Sequence, residues 1–282
     1  MRTGAPAVMV SVVGDDLAGK TIRQGMMDIN MVYNALHSND GQLVVAVADM
    51  DIFQHLDPLK VSTILENDHP GLVCFDGNIS SEMMLTIATT CKKLNVPAFF
   101  EPTSVPKSLR IFDHPETILS RSVHFISPNQ FELEALSETA KMKLPKTKED
   151  TALLDKRTPP LAQHVLPQAL YLSNYIPNVI TKLGEYGCLY VGRSESTRHI
   201  EYFPPEQIAP HEIKSVTGAG DCFVGTLLAN LRKTPFLEPD QRTLWRAIIE
   251  RSQQSSIRTL KSDLAVSEDI NNDLLVKLTA PL

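Results

Sequence analysis

The residue types that could do chemistry are concentrated in one short stretch, Gly218-Ala219-Gly220-Asp221, which precedes an apolar run. Small residues leave the backbone N–H groups at a helix N-terminus accessible to an anion. An anion hole beside a carboxylate suits phosphoryl transfer to an alcohol, because the acid can take the proton of the hydroxyl. The same residues also suit an ordinary turn, in which glycine adopts positive φ and aspartate caps a helix. Taken alone, the four residues do not decide between the two interpretations.

The residues after this stretch predict the helix that would position it. Apolar side chains recur at helical spacing as far as Leu231, so the motif should open a buried helix. Arg232 and Lys233 would lie in the last turn, where cations interact favourably with the helix dipole, and Pro235 would end the helix.

Upstream, apolar runs alternate with amphipathic stretches. This alternation predicts βαβ units and a mostly parallel sheet flanked by helices. A helix is predicted over 81–94, and strands are predicted over 7–13, 43–48, 71–75, 96–100, 124–127, 179–182 and 188–191. The polar segment 141–161 is predicted to be an exposed excursion between helices, and residues 1–282 are predicted to form a single domain.

Composition excludes several classes of protein. The net charge of −6 argues against a nucleic-acid-binding surface, which would need a basic stripe. No apolar run approaches the roughly 18 residues of a membrane span, and the first residues lack the long apolar core of a signal peptide. The four cysteines form no Cys-x-x-Cys pair, which argues against a zinc site, and Cys74, Cys188 and Cys222 are expected to be buried thiols. This usage suits a reducing compartment and predicts a cytoplasmic location.

Four further motifs accompany the first one. They are Gly14-Asp15-Asp16, Asp76-Gly77-Asn78, Asn129-Gln130-Phe131-Glu132 and Lys182-Leu183-Gly184. In order and spacing, the five motifs resemble the PfkB/ribokinase family of sugar and nucleoside kinases. Within that family, the segments 47–51 and 74–80 look most like pseudouridine kinases. The resemblance implies a ribokinase-like α/β fold, with a mostly parallel sheet flanked by helices and an incomplete β lid.

The resemblance also implies roles for individual residues. Asp221 would be the catalytic base, and the backbone N–H groups of Gly218, Ala219 and Gly220 would form the anion hole. Asn129 would bind the nucleotide, and Glu132 would organise Mg²⁺, water and phosphates. From the residues themselves, Asn129 and Glu132 also fit a helix capping box, and both interpretations can hold together.

Other positions are assigned in the same way. Lys182 and Gly184 match the nucleotide-phosphate contacts of the family, although a two-residue hairpin turn with Gly187 at positive φ would explain the pattern equally well. Asp49, Asp51 and Asn78 are expected on the substrate side, with a solvated strand end or a plain turn as the alternative. Lys107 is expected in a proline-stiffened loop.

The sequence also departs from the family pattern. The first strand and the glycine segment that grips the sugar are predicted to be missing, and Ile249-Glu250-Arg251 carries charge where relatives have small residues beside adenine. The leading hypothesis is ATP-dependent phosphorylation of the 5′-hydroxyl of pseudouridine, with ATP and Mg²⁺ and with K⁺ left open as an activator. The alternatives are a non-catalytic nucleotide-binding or regulatory protein, and a kinase for ribose or adenosine. A small-molecule sugar or nucleoside partner and a homodimer are expected, without nucleic acid or membrane.

Overall fold

A six-stranded sheet forms the centre of the protein. The computed structural model describes residues 3, 7–11, 20, 35–37, 43–46, 53, 55–147, 150–194, 197–234 and 237–277. The sheet contains β3 (Val73–Asp76), β4 (Ala98–Glu101), β5 (Val123–Ile126), β6 (Asn178–Lys182), β7 (Cys188–Arg193) and β8 (Arg198–Phe203), in that spatial order. The strands β3 to β6 are parallel, whereas β7 and β8 are added antiparallel. A separate antiparallel pair consists of β1 (Ala35–His37) and β2 (Leu43–Ala46).

Helices connect and cover these strands. They are α1 (Pro58–Asp68), α2 (Ser81–Leu94), α3 (Val105–Ser108), α4 (Glu116–Leu119), α5 (Gln130–Lys143), α6 (Pro160–Leu172), α7 (Ala219–Lys233) and α8 (Arg242–Leu260). The order strand, helix, strand along β3 to β6 confirms the predicted α/β class and the mostly parallel sheet.

Local sequence explains where the helices begin and end. The Ser80 hydroxyl accepts a hydrogen bond from the Met83 N–H at 3.2 Å and so caps α2, which ends where Asn95 adopts the left-handed conformation. At α1, the Asp57 carboxylate caps the first turn and Pro58 occupies the first helical position, where its missing N–H costs nothing. These short-range signals are the reason that the helix predicted over 81–94 is found with the same bounds.

The sheet has a hydrophobic cluster on each face. On one face, α1, α2, α5 and α6 pack against alternate sheet residues such as Phe75, Phe100 and Val179. On the other face, α7 and α8 pack against Phe99 and Ile180, which occupy the intervening positions of their strands. Because the parallel strands β4 to β6 are covered on both faces, they read in the sequence as short apolar runs rather than as alternating ones.

Helix α7 runs opposite to the parallel strands. Gly71, which lies just before β3, approaches the last turn of α7 so closely that a Cβ there would be 3.0 Å from Arg232 Nε. The C-terminus of α7 therefore lies at the amino ends of the strands. Its first turn, with Gly218 as the N-cap, must lie toward their carboxyl ends, which is the edge where ligands bind in open α/β sheets.

Two predictions about strands and cysteines were wrong. Residues 7–11 form no strand, and Val8 and Met9 are 75% and 61% exposed, because none of the described strands pairs with them. Cys74 is exposed, since it points to the opposite face from its buried neighbours Val73 and Phe75 on an edge strand of the described sheet. Cys188 and Cys222 are buried as expected.

The long connection between α5 and α6 agrees with its prediction. Its described residues, 144–147 and 150–159, contain neither helix nor strand, and Leu153 is 98% exposed. The helix ends at either side extend a few residues into the predicted excursion. Among the helices of the described residues, none is both long enough and apolar enough to cross a membrane.

Candidate functional site

The carboxyl ends of the parallel strands bring together polar residues that are far apart in the sequence. Asp76 ends β3, Glu101 ends β4, Asn129 follows β5, and Lys182 ends β6. Strand register places Asp76 beside Glu101, and a parallel bridge places Asn129 beside Lys182. The first turn of α7 lies toward the same edge. The structure therefore gathers four of the five sequence motifs at one edge of the sheet.

The first turn of α7 is open to solvent. Gly218 adopts φ +80°, and a Cβ at this position would lie 1.9 Å from the carbonyl oxygen of Ala265, so only glycine fits. A Cβ on Gly220, by contrast, would meet nothing within 4 Å. Among the described residues, no side chain caps the helix, so its first turn presents backbone N–H donors of the kind expected at a helix N-terminus. The Ala219 N–H makes a long contact of 3.4 Å with the Val216 carbonyl oxygen.

Asp221 lies in this first turn, and its side chain is exposed. Within the part of the chain that the structure describes, no hydrogen bond or ion pair engages its carboxylate. The carboxylate is thus accessible to an incoming molecule.

Two serines that sequence reasoning missed hold this turn against α8. Ser256 Oγ donates to the Ala219 carbonyl oxygen at 2.8 Å, and Ser255 Oγ donates to the Cys222 carbonyl oxygen at 2.8 Å. Ser255 is fully buried. The turn that carries Asp221 is therefore fixed from behind, although its outer face is open. Nothing in the local sequence of α8 indicates this contact, because it depends on how two helices pack.

Asn129 and Glu132 form the capping box that was one of the two predicted interpretations. Asn129 Oδ1 accepts from the Phe131 and Glu132 N–H groups, each at 2.9 Å, and Glu132 Oε2 accepts from the Asn129 N–H at 2.8 Å. Glu132 is only 3% exposed. The box fixes the entry to α5 next to Lys182, and the nucleotide and Mg²⁺ roles of these two residues stay predictions.

Lys182 is paired with Glu101, a residue that the sequence motifs did not single out. Lys182 Nζ lies 2.5 Å from Glu101 Oε1, and Ser127 Oγ donates to the other carboxylate oxygen. The two charged side chains are 20% and 15% exposed. Burial raises the pKa of the Glu101 carboxyl, while Lys182 and Ser127 act in the opposite direction. The pair links the ends of β4, β5 and β6.

A second polar cluster follows β3. The Asn78 amide donates to Asp76 Oδ2 at 2.6 Å, and Lys107 Nζ donates to Asn78 Oδ1 at 2.6 Å. Arg110 donates to the Asn78 carbonyl oxygen at 3.3 Å. A Cβ on Gly77 would lie 2.4 Å from the Pro102 carbonyl oxygen, so the turn packs tightly against the segment that follows β4. The predicted turn is present, but Lys107 lies in the short helix α3 and not in the predicted loop, because the chain turns helical at Val105. The substrate-side role of Asn78 stays a prediction.

Gly184 and Gly187 shape the connection from β6 to β7. Their φ angles are +59° and +84°, and a 3-10 turn spans Gly184–Tyr186. The hairpin is confirmed, but its loop is longer than the expected two residues because the 3-10 turn is inserted in it. A Cβ on Gly187 would lie 2.2 Å from the Phe203 carbonyl oxygen, whereas Gly184 is open to solvent on its Cβ side.

Two sets of predicted residues lie outside the described residues, namely Asp49 with Asp51 and the segment Gly14-Asp15-Asp16. Among the described residues, no group of three or more His, Cys, Asp or Glu side chains is arranged to hold a metal ion. A magnesium ion bound mainly by phosphate oxygens and water would need no such group.

Comparison with known proteins connects this site to a family. The model of the pfkB family of carbohydrate kinases matches residues 1–241. A pseudouridine-metabolizing bifunctional protein of Schizosaccharomyces pombe is 28% identical over 272 residues, which cover 84% of this chain and 34% of that protein. A pseudouridine kinase of Arabidopsis thaliana is 26% identical over 243 residues, which cover 71% of this chain and 62% of that protein. The chain thus spans only part of the length of both curated relatives.

A solved structure supports the fold. Ribokinase of Arabidopsis thaliana, in a complex with ribose and ATP, aligns with a TM-score of 0.61 at 15% identity and covers 93% of this chain and 78% of its own. At this identity the likeness concerns the fold alone. It agrees with the α/β fold described above.

Proposed function

Since this chain belongs to the pfkB family of carbohydrate kinases, we propose that it transfers the terminal phosphoryl group of ATP to a hydroxyl of a sugar or nucleoside. We further propose that the acceptor is the 5′-hydroxyl of pseudouridine. The names of the two curated relatives support this choice of acceptor, as do the segments 47–51 and 74–80.

The observation that carries the proposal is the exposed Asp221 carboxylate in the open first turn of α7. A hydroxyl that attacks phosphorus must lose its proton, and an unengaged carboxylate within hydrogen-bond reach can accept it. The unsatisfied N–H groups beside Gly220 would stabilise the negative charge of the phosphoryl oxygens. One helix turn would thus supply both the base and the anion hole.

The residues at the strand ends would bind and orient the nucleotide. Lys182, whose backbone pairs with that of Asn129, offers an ammonium group, and Gly184 has open space where a side chain would otherwise stand. ATP supplies the phosphoryl group, and Mg²⁺ would neutralise charge on its phosphates. Glu132 fits such an ion only as an outer partner, because its carboxylate is nearly buried and one oxygen is bound to Asn129. Asn78 would lie on the acceptor side, together with Asp49 and Asp51.

The test is a turnover assay on the purified chain with ATP, Mg²⁺ and a panel of pseudouridine, ribose and adenosine. ADP formation that depends on pseudouridine, and that is abolished in Asp221→Asn, would support the proposal. Asp263→Asn is a matched control, because that carboxylate is 81% exposed and pairs only with Lys214 among the described residues. Full activity of Asp221→Asn would refute the assignment of the base.

The panel also separates the alternatives. Turnover with ribose or adenosine instead would change the acceptor but keep the reaction. Binding of ATP in calorimetry without turnover of any acceptor would favour a non-catalytic nucleotide-binding protein. Activation by K⁺, a homodimer and a cytoplasmic location remain predictions, which assays with and without K⁺, sedimentation and cell fractionation would test.

A further inference from the structure

Glu101 is a carboxylate that is only 15% exposed, and neither a motif nor the proposed reaction assigns it a part. One of its oxygens is bound by Lys182 Nζ and the other by Ser127 Oγ, so each carboxylate oxygen has a donor. Ser127 is itself fully buried. Glu101 is therefore held by residues at the carboxyl ends of β5 and β6, the next two strands of the sheet.

The position of this group relates it to the site. Glu101 lies two residues after Phe99, and Lys182 lies two residues after Ile180, and both apolar residues pack under α7 and α8. Because side chains alternate along a strand, Glu101 and Lys182 point to that same face. They do so at the carboxyl ends of their strands, which is the direction in which the first turn of α7 lies.

Burial of a charged pair contributes little net stability to a fold. Two ions lose their hydration on burial, and apolar residues of similar volume often stabilise a protein as well or better. Burial raises the pKa of the Glu101 carboxyl, which reflects this cost. A partner that fixes a functional lysine would account for the pair, because a free lysine side chain has four rotatable bonds and no preferred direction for its ammonium group.

The Lys182 ammonium group can donate more hydrogen bonds than the one it makes to Glu101. It carries three N–H donors, of which Glu101 Oε1 accepts one. Resting on the proposed function, we propose that Glu101 is a positioning residue that holds Lys182 Nζ where it meets the nucleotide phosphates. The other N–H donors of the ammonium group then bind phosphate oxygens without a further loss of side-chain freedom.

The experiment is a double-mutant cycle of Glu101→Gln and Lys182→Met, read out by ADP affinity in calorimetry. Glutamine keeps the size and hydrogen-bonding capacity of Glu101 and removes its charge. We expect Glu101→Gln to weaken ADP binding about tenfold or more, the size of one lost charge-assisted hydrogen bond. In the Lys182→Met background the same change should have no further effect on ADP affinity, because it acts only through the lysine.

Stability measurements keep the cycle interpretable. The double variant removes both charges and should fold even where a single variant leaves a buried ion unpaired. Glu66→Gln is the matched control, since Glu66 pairs with Lys93 at 2.8 Å on the surface, and it should leave ADP affinity unchanged. In an enzyme that turns over, Glu101→Gln should raise the KM for ATP more than it lowers kcat.

The outcomes of the two proposals can be told apart. If the Glu101→Gln variant bound ADP as tightly as the wild-type chain, the positioning role would be overturned. It would also be overturned if Glu101→Gln weakened ADP binding as much in the Lys182→Met variant as in the wild-type chain. A wild-type chain that binds ADP but forms no product would refute the proposed reaction, while the cycle would still measure the role of Glu101. A wild-type chain that binds no ADP would overturn both.

Discussion

Two polar regions meet at the carboxyl edge of the sheet, and they are built in opposite ways. The first turn of α7 leaves Asp221 exposed and its backbone N–H groups without a side-chain cap. The cluster at the ends of β4, β5 and β6 instead ties Glu101 to Lys182 and Ser127, and Glu132 to Asn129. The groups proposed to react with an incoming molecule are left open, whereas the groups proposed to set positions are already engaged with one another.

The difference has an energetic meaning. Removing a group from the open turn should cost little folding free energy, because the group makes few contacts in the described structure. Removing a group from the engaged cluster should cost stability, because it leaves a buried partner unsatisfied. In the open turn, removing a group is therefore expected to lower activity with little loss of stability. In the engaged cluster, removing a group is expected to lower activity and stability together.

The largest expected effect is on activity, in the open turn. Asp221→Asn should lower kcat by about 10² to 10⁴, the usual range for removal of a general base. Its free energy of unfolding should change by less than about 1 kcal/mol, since the main loss is the interaction of one exposed charge with the helix dipole. Steady-state kinetics and urea unfolding on the same preparation measure both. A fall in activity that is matched by an equal loss of folded protein would contradict the comparison.

The two glycines of the turn should differ sharply from each other. Gly218→Ala places a Cβ 1.9 Å from the Ala265 carbonyl oxygen at φ +80°, and we expect a loss of about 1 to 3 kcal/mol in stability. Gly220→Ala meets nothing within 4 Å, and alanine favours a helix by up to about 1 kcal/mol. The second variant should keep or gain stability while its methyl group obstructs the anion hole and lowers activity.

Thermal unfolding of both variants, alongside a turnover assay, tests this contrast. Equal stability of the two variants would show that the carbonyl of Ala265 can move aside. Undiminished activity of Gly220→Ala would show that the phosphoryl group does not approach the helix at this residue.

The sequence predicted those features that depend on neighbouring residues. The helix Ser81–Leu94 has its predicted bounds because Ser80 and Asn95 cap it, and the Asn129–Glu132 box follows from a spacing of three. The strands β3 to β7 were found within a few residues of their predicted positions, because each is an apolar run between turn residues. The strand β8 (Arg198–Phe203) was not predicted, because its sequence is mostly polar.

Other features depend on residues that are distant in the sequence. Lys182 and Glu101 are 81 positions apart, and only the register of three parallel strands brings them together. The hydrogen bonds from Ser255 and Ser256 to the first turn of α7 likewise depend on how α7 and α8 pack against each other. Cys74 lies in an apolar run, yet the sequence cannot show that its strand forms an edge of the described sheet.

A smaller effect is expected in the engaged cluster. Asn129→Ala removes the acceptor for two backbone N–H groups at the start of α5 and should cost about 1 kcal/mol in stability, within the range known for helix caps. Asn129→Ser should recover most of this loss, because serine also caps helices. Urea unfolding of the two variants measures the difference. If alanine and serine were equally stable, the capping box would contribute nothing.

The smallest effect is expected far from the site, where pH should reveal an ion pair. The Asp150 carboxylate binds Arg193 and lies 3.2 Å from Arg198, and the hydrogen bond from Arg193 holds the pKa of Asp150 below its ordinary value. A lowered pKa stabilises the fold above the ordinary value near 3.8 and loses that contribution as pH falls through the lowered pKa. Because the side chain is 30% exposed, the contribution should be under about 1 kcal/mol.

Asp150→Asn should therefore be slightly less stable than the wild-type chain in urea at about pH 7, and the difference should vanish at strongly acidic pH. Asp263→Asn is a suitable control, since Asp263 pairs only with Lys214 among the described residues and its side chain is 81% exposed. A difference that grew on acidification would mean that Asp150 is destabilised by its surroundings. That result would mean that the surroundings of a partly exposed carboxylate disfavour its charge, although solvent should screen such an interaction. It would contradict the contrast between engaged and open groups.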